Sequence, residues 1–195
     1  MIKKIILASK SKVRKNILDL NNIQCEVAPS NIDEDIIKRT LDKEGATPEI
    51  ISKNLAELKA NKISLKFQDQ IVLGADSVID LDGSIISKPK NRGDAFDILK
   101  LLNGKPHNLI SSVCISINGA MIWNYTDKAT LTMKNFSENE LKNYLELISD
   151  KDLYAYNVYQ IEGKGKSLFS IIDGDKDTIM GLPVKKIKEY LNNYK

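Results

Sequence analysis

Four stretches of the chain place charged or hydroxyl-bearing side chains where a buried-core pattern would not. The first, Ser9-Lys10-Ser11-Lys12-Val13-Arg14, follows the apolar run Ile5-Ile6-Leu7-Ala8 and opens a helical pattern. Backbone N–H groups at a helix start, two hydroxyls and an arginine make a seat for an oxyanion or phosphate. A plain N-cap flanked by exposed basic residues would read the same way. The second, Gly74-Ala75-Asp76-Ser77, comes directly after Ile71-Val72-Leu73. A carboxylate at the end of a buried strand is costly unless hydrogen-bonded, paired or bound to a cation. Asp76 is therefore suited to hold a divalent ion or orient a water, with a turn aspartate as the alternative. The third, Ser87-Lys88-Pro89, puts Lys88 twelve residues beyond Asp76. If Asp82-Gly83 turns a hairpin, Lys88 returns beside Asp76 and can pair with it or neutralise a phosphate. A surface lysine before a proline is the other reading. The fourth, Tyr159-Gln160-Ile161-Glu162-Gly163-Lys164-Gly165, sets a glutamate between glycines that permit close backbone approach to a ligand.

His107 is the sole histidine, which excludes any metal site or catalytic scheme that needs two. Its place after Gly104-Lys105-Pro106 reads as a turn, with a structural or hydrogen-bonding role for the ring.

The elements that must position these groups follow from apolar spacing. Ile5 to Ala8 is a short buried strand, and Ser11 caps a helix carrying Ile17, Leu18 and Leu20. Gln24 to Ala28 is a second strand, and Asn31 to Lys43, with Asp33, Glu34 and Asp35, reads as a charged loop. Thr47-Pro48-Glu49 starts a helix to about Lys66, with Ile51, Leu55, Leu58 and Lys62 along one stripe. Gln70 to Ile79 is the strongest strand. Asp82-Gly83 and Asn118-Gly119 are hairpin signals, the second between Ile110–Ile117 and Met121–Met133. Asp94 starts a helix with Ala95, Ile98, Leu99 and Leu102 inward and Gly104 past its end. Ser137-x-x-Glu140 is a capping box ahead of Leu141, Tyr144, Leu145 and Ile148. Leu168 to Ile172 is a strand, and a last helix with Val184, Ile187 and Leu191 inward follows Gly181-Leu182-Pro183. Hairpins alternating with helices predict a mixed sheet flanked by helices.

The 195 residues, 42% apolar and 28% charged, suit one large domain or two packed lobes rather than a disordered chain. A net charge of +3 argues weakly for nucleic acid or an anionic membrane as partner, and runs such as Lys3-Lys4 and Lys185-Lys186 read as solvated faces. Cys25 and Cys114 lack metal or redox spacing and read as two reduced, largely buried thiols, with a disulfide as the alternative. Met1 to Leu7 is too short an apolar stretch for a signal peptide or a membrane span, so a cytosolic protein is expected.

Taken in order, these segments resemble the Maf family of septum-formation-like nucleotide pyrophosphatases. The resemblance rests on Leu7-Ala8-Ser9-x-Ser11-x-x-Arg14, Ile32-Asp33-Glu34, Leu55-Ala56-x-x-Lys59-Ala60, Gly74-Ala75-Asp76-Ser77 and Lys88-Pro89. It continues through Leu102-x-Gly104-x-x-His107, Tyr159-Gln160-x-Glu162-Gly163 and Gly181-Leu182-Pro183. It implies an α/β fold like the inosine-triphosphate pyrophosphatases (Maf/Ham1): a long twisted mixed β-sheet flanked by helices, with two lobes and a central cleft, in one domain over residues 1–195. It implies hydrolysis of a nucleoside triphosphate to the monophosphate and pyrophosphate, dependent on Mg²⁺, Mn²⁺ or Co²⁺. By the same resemblance Asp76 is the catalytic base and Lys88 a second catalytic group. Ser9, Arg14, Lys59 and Glu162 bind substrate, and Asp76 with Glu34 holds the metal. Ionic chemistry agrees, because cleavage between α and β phosphates is largely a matter of stabilising negative charge.

The departures bear on the base. Lys12 and Val13 stand where the family often has Pro and Arg, Tyr154 to Tyr159 departs from the Asp-Lys-Ala-Gly-Ala-Tyr stretch of the dTTP/UTP branch, and Glu162 replaces a glutamine. A single arginine and a Glu-Gly pair are closer to the 7-methyl-GTP branch, although Tyr159-Gln160 does not fit it fully, and the base stays unassigned. The family's name supports a second reading, a protein that restrains cell division through protein interaction, and the resemblance is compatible with a homodimer. Nucleic-acid binding rests only on the mild basic balance and predicts strong salt dependence.

Overall fold

In the computed structural model of the chain, residues 4–194 are described, without the side chains of Ala155 and Tyr156. Lys3 and the first residues of the Met1–Leu7 stretch lie outside them. The chain divides into two compact units. Residues 1–78, 110–128 and 175–195 form the first, and residues 79–109 and 129–174 the second.

Seven strands make one mixed sheet: β1 (Ile5–Leu7), β2 (Cys25–Val27), β3 (Val72–Leu81), β4 (Ser84–Ile86), β5 (Pro106–Ile117), β6 (Ala120–Met133) and β7 (Phe169–Asp173). Their order is β2-β1-β3-β5-β6-β7, with β4 paired to β3. β1 runs parallel to β2 and β3, whereas β3/β4 and β6/β7 are antiparallel. The helices are α1 (Lys12–Leu20), α2 (Glu34–Lys43), α3 (Pro48–Ser64), α4 (Arg92–Leu102), α5 (Glu138–Glu146), α6 (Asp150–Tyr156), α7 (Lys176–Ile179) and α8 (Val184–Asn193). A mixed sheet with helices is the architecture the sequence pattern predicts.

In the first unit, strand alternation separates two cores. Ile5, Leu7, Leu73 and Ala75 pack with Ile17 and Leu18 of α1 and Ile187 and Leu191 of α8. Ile6, Ala8 and Val72, on the opposite pleat, pack with Ile63 of α3. Gly74 lets α3 lie close on this face, since a Cβ there would stand 2.2 Å from the Ala56 carbonyl oxygen. In the second unit, α4 packs on α5, and Leu99 and Leu102 of the first helix and Leu141 and Leu145 of the second are buried. Arg92 donates to the carbonyls of Leu145 and Ile148, both at 2.9 Å, and so covers the open end of α5.

Several expectations need correction. Asn31–Lys43 is not a loop, because Asp33 accepts from the Ile36 N–H, Glu34 and Asp35 occupy the first turn and Lys43 the last, which starts and ends α2. The buried stripe of α3 is rotated from the expected one. Ile51, Ser52, Leu55, Ala56, Lys59, Ala60 and Ile63 face inward, while Leu58 is 43% exposed and Lys62 is exposed. Helix α3 stops at Ser64. Helix α4 begins before Asp94, because Asn91 is its cap and accepts from the Asp94 N–H. His107 stands in β5 rather than in a turn. Helix α6, capped by Ser149, is an element that apolar spacing did not reveal. Both Asx-Gly hairpins form, with positive φ at Asp82, Gly83, Asn118 and Gly119. The Ser137–Glu140 capping box also forms.

Candidate active site

The site is built where two parallel strands part. Ala8 N–H donates to the Leu73 carbonyl at 2.8 Å, and past that point β1 leaves to start α1 while β3 runs on through Gly74-Ala75-Asp76-Ser77. Such an opening at the carboxyl ends of parallel strands is where α/β sheets present ligand-binding groups. Ser11 caps α1 by accepting from the Arg14 N–H, and the N–H groups of Lys12 and Val13 precede the first intrahelical bond. Ser9 Oγ accepts from the Ser11 N–H at 3.2 Å and from Arg14 Nη1 at 3.3 Å. Arg14 Nη1 also donates to the Ala75 carbonyl at 2.9 Å, Nη2 to Ser77 Oγ at 3.1 Å and Nε to the Gly181 carbonyl at 2.9 Å.

Asp76 is 3% exposed and Lys59 is 4% exposed. The close approach of α3 at Gly74 brings the lysine ammonium to 2.7 Å from Asp76 Oδ1, 2.8 Å from Glu34 Oε1 and 3.5 Å from the Ala75 carbonyl. Its three donors are thereby used, so Lys59 bridges two carboxylates. Ser52, two turns before Lys59 on the same helix face, donates to the Asp76 carbonyl at 3.2 Å. Asp76 Oδ2 is buried and has no hydrogen-bond partner among the described residues.

Glu34 reaches this group because it is the first residue of α2. Burial pushes its carboxyl upward, but Lys59, with Lys38 and Arg14, outweighs burial and holds it below the usual carboxylate range. For Arg14 burial is the larger influence and lowers the guanidinium from its ordinary value, against the charges of Asp76 and Glu34.

Among the described residues no group of three or more His, Cys, Asp or Glu side chains could hold a metal. Mg²⁺ does not need such a cage, because it keeps several waters and uses one or two carboxylates together with substrate phosphates. Asp76 Oδ2 and the half-exposed Glu34 carboxylate provide that donor set, and the residues fit a divalent cation.

Ser9, Arg14, Glu34, Lys59 and Asp76 are thus brought together within the first unit. Lys88 and Glu162 belong to the second. The β3/β4 ladder pairs Ile79 with Ile86 and ends there, two residues before Lys88. Glu162 is exposed and accepts from Gln160 Nε2 at 2.9 Å. His107 is 2% exposed and shares a 2.7 Å hydrogen bond with the Tyr159 hydroxyl, which is the hydrogen-bonding role expected of it. Burial lowers its pKa to about 4. Both cysteines are free thiols, and burial pushes Cys114 up to about 11. Among the described residues no helix is long and apolar enough to cross a membrane. Ser52 is a residue of this group that the sequence reading does not name, and Ser77 is named there only within the Gly74-Ala75-Asp76-Ser77 stretch. Ser52 could have been found from the small and polar residues Ser52, Ala56, Lys59 and Ala60 once they are seen to share the inward stripe.

A family model described as "Maf-like protein" matches residues 4–194. The chain belongs to the Maf-like family. A Pelagibacter ubique (strain HTCC1062) relative named nucleoside triphosphate pyrophosphatase is 73% identical over 191 residues, covering 98% of each chain. A relative from Rhizobium etli named 7-methyl-GTP pyrophosphatase is 35% identical over 184 residues, covering 94% of this chain and 92% of its own. Among solved structures, a HAM1 protein from Coxiella burnetii superposes with a TM-score of 0.54 at 12% identity, over 97% of this chain and 98% of that one. The Staphylococcus aureus Ham1 protein gives 0.50 at 14%, over 99% and 100%. At such identities the likeness is one of fold, and the fold is Ham1-like.

Proposed function

We propose that this protein hydrolyses nucleoside triphosphates to nucleoside monophosphate and pyrophosphate. The observation that carries the proposal is the state of Asp76, a buried carboxylate with Oδ1 pinned by Lys59 and Oδ2 left without a partner. A buried acceptor held in that way is suited to take a proton, and the names of the relatives support the choice of substrate. Oδ2 orients the attacking water and accepts its proton as the bond between the α-phosphorus and the bridging oxygen breaks, and pyrophosphate leaves. Lys59 keeps Oδ1 fixed and places a positive charge behind the two carboxylates. The Ser9 hydroxyl and the N–H groups of Lys12 and Val13 receive phosphate oxygens at the start of α1. Asp76 and Glu34 would hold Mg²⁺, Mn²⁺ or Co²⁺, which when bound supplies Lewis-acid stabilisation of the phosphate charge. For Lys88 and Glu162 the support is the family resemblance alone.

A nucleotide panel that includes dTTP, UTP, 5-methyl-UTP and 7-methyl-GTP, with monophosphate and pyrophosphate measured for each cation, tests the proposal. Equal yields of the two products are expected from at least one nucleotide. Release of orthophosphate instead, or no hydrolysis of any triphosphate with any of the three cations, overturns it.

A further inference from the structure

We infer that Arg14 is a positioning residue. Its guanidinium clamps the middle of β3 to the Gly181 turn, and through that clamp it sets the place of Asp76. The inference deepens the proposed activity and rests on it for its kinetic readout.

A guanidinium has five N–H donors, and four of those of Arg14 already end on acceptors of the protein itself. None of the four acceptors is a carboxylate. Two are backbone carbonyls and two are serine hydroxyls. The Ala75 carbonyl lies just past the last bond between β1 and β3, where no strand remains to pair with it, and Arg14 takes the strand's place at 2.9 Å. The Gly181 carbonyl belongs to a turn with φ +92° at the glycine, packed so tightly that a Cβ would come within 2.9 Å of Ser77 Oγ and 3.5 Å of Arg14 Nη2. A second tie secures the same turn: Ser77 Oγ lies 2.9 Å from Ser111 Oγ, and Ser111 donates to the Thr178 carbonyl at 2.8 Å. Ala75 and Ser77, the residues on either side of Asp76, are both held by Arg14. Turning the guanidinium toward a phosphate would break those bonds, leave the Ala75 carbonyl only the 3.5 Å contact with Lys59 and take from the Gly181 carbonyl its Arg14 donor.

The test uses Arg14→Lys and Gly181→Ala, the second of which leaves every charge in place. Three quantities are read: kcat and KM on the best nucleotide, the Kd for inorganic tripolyphosphate, and amide hydrogen exchange of residues 73–78 and 178–182. For both variants kcat is expected to fall tenfold or more, with KM and the tripolyphosphate Kd within threefold of wild type. Both segments should exchange faster. A tenfold rise in KM and Kd for Arg14→Lys with exchange unchanged would mark a phosphate ligand and overturn the inference, as would wild-type kcat in Gly181→Ala. If the wild-type protein turns over no triphosphate, the activity proposal fails by itself, and hydrogen exchange decides. Faster exchange in both segments supports the clamp, and faster exchange confined to α1 overturns it. Should Arg14→Lys not fold, Ser77→Ala removes the two contacts of one hydroxyl, to Arg14 and to Ser111, and is read by the same criteria.

Discussion

Asp76 in the first unit and His107 in the second are both ionisable and almost wholly withdrawn from solvent, at 3% and 2% exposure, yet their surroundings treat charge in opposite ways. Asp76 lies in an ion pair with Lys59 at 2.7 Å, in a group completed by Glu34 and Arg14. His107 sits against the rings of Tyr159 and Phe169, neutral neighbours, and burial drives its pKa to about 4. Burial alone therefore does not say whether a side chain is held for chemistry or for packing. The partners decide, because a desolvated charge is tolerated only where an opposite charge or several hydrogen bonds replace water.

The comparison can be broken at either end. Replacing Asp76 by Asn or Ala should lower turnover about 10²–10⁴-fold while the fold persists, since a positioned general base typically contributes that much. Purified Asp76→Asn with a near wild-type rate on its best nucleotide would remove Asp76 from the chemistry. Lys59→Met leaves Asp76 and Glu34 without their shared cation and should cost about 3–5 kcal/mol of stability, the usual loss when one partner of a buried pair is removed. Denaturant unfolding would measure it, and adding Asp76→Asn to Lys59→Met should recover part of the loss. An additive double variant would mean that the pair does not act as a unit.

His107 gives a prediction in pH. Its folded pKa of about 4 lies below the ordinary histidine value of 6.5, so the unfolded chain binds the proton more readily between the two. Its contribution is intact above pH 6.5 and is lost as pH falls toward 4, by about 3 kcal/mol over the window. In His107→Gln the midpoint of urea unfolding should change less across that window, and an unchanged slope would refute the assignment. The smallest effect concerns the contact that brings Lys59 to Asp76. In Gly74→Ala a Cβ would stand 2.2 Å from the Ala56 carbonyl oxygen, and the forced shift of α3 should cost about 1–3 kcal/mol, read as a lower thermal midpoint. A midpoint equal to wild type would show that α3 can move away freely.

Much of this was legible in the chain because it is locally encoded. Ser11, Thr47 and Ser137 cap helices through bonds to N–H groups three residues ahead, and Asp82-Gly83 and Asn118-Gly119 turn hairpins because these residues tolerate positive φ. Asp76 closely follows the apolar run Ile71-Val72-Leu73, which marks it as costly to bury, although β3 continues past it to Leu81. In the stretch 31–43 continuous polarity hides the caps of α2, and with them the reason Glu34 faces Lys59. The stripe of α3 differs from the apolar spacing because Ser52, Ala56, Lys59 and Ala60 face inward while Leu58 is exposed, an exchange that the close approach at Gly74 and the pairing of Lys59 with Asp76 impose.

The sequence by itself determined the local elements, the mixed architecture and the residues able to carry phosphate chemistry, since caps, turns and alternation act over a few residues. Only the tertiary structure decided that Lys59 bridges Asp76 and Glu34, that Asp76 Oδ2 has no partner, and that Arg14 spends its donors on Ala75, Ser77 and Gly181. Those contacts join residues up to 167 positions apart. Their lengths depend on how closely a helix can lie on a strand, and no spacing along the chain records that distance.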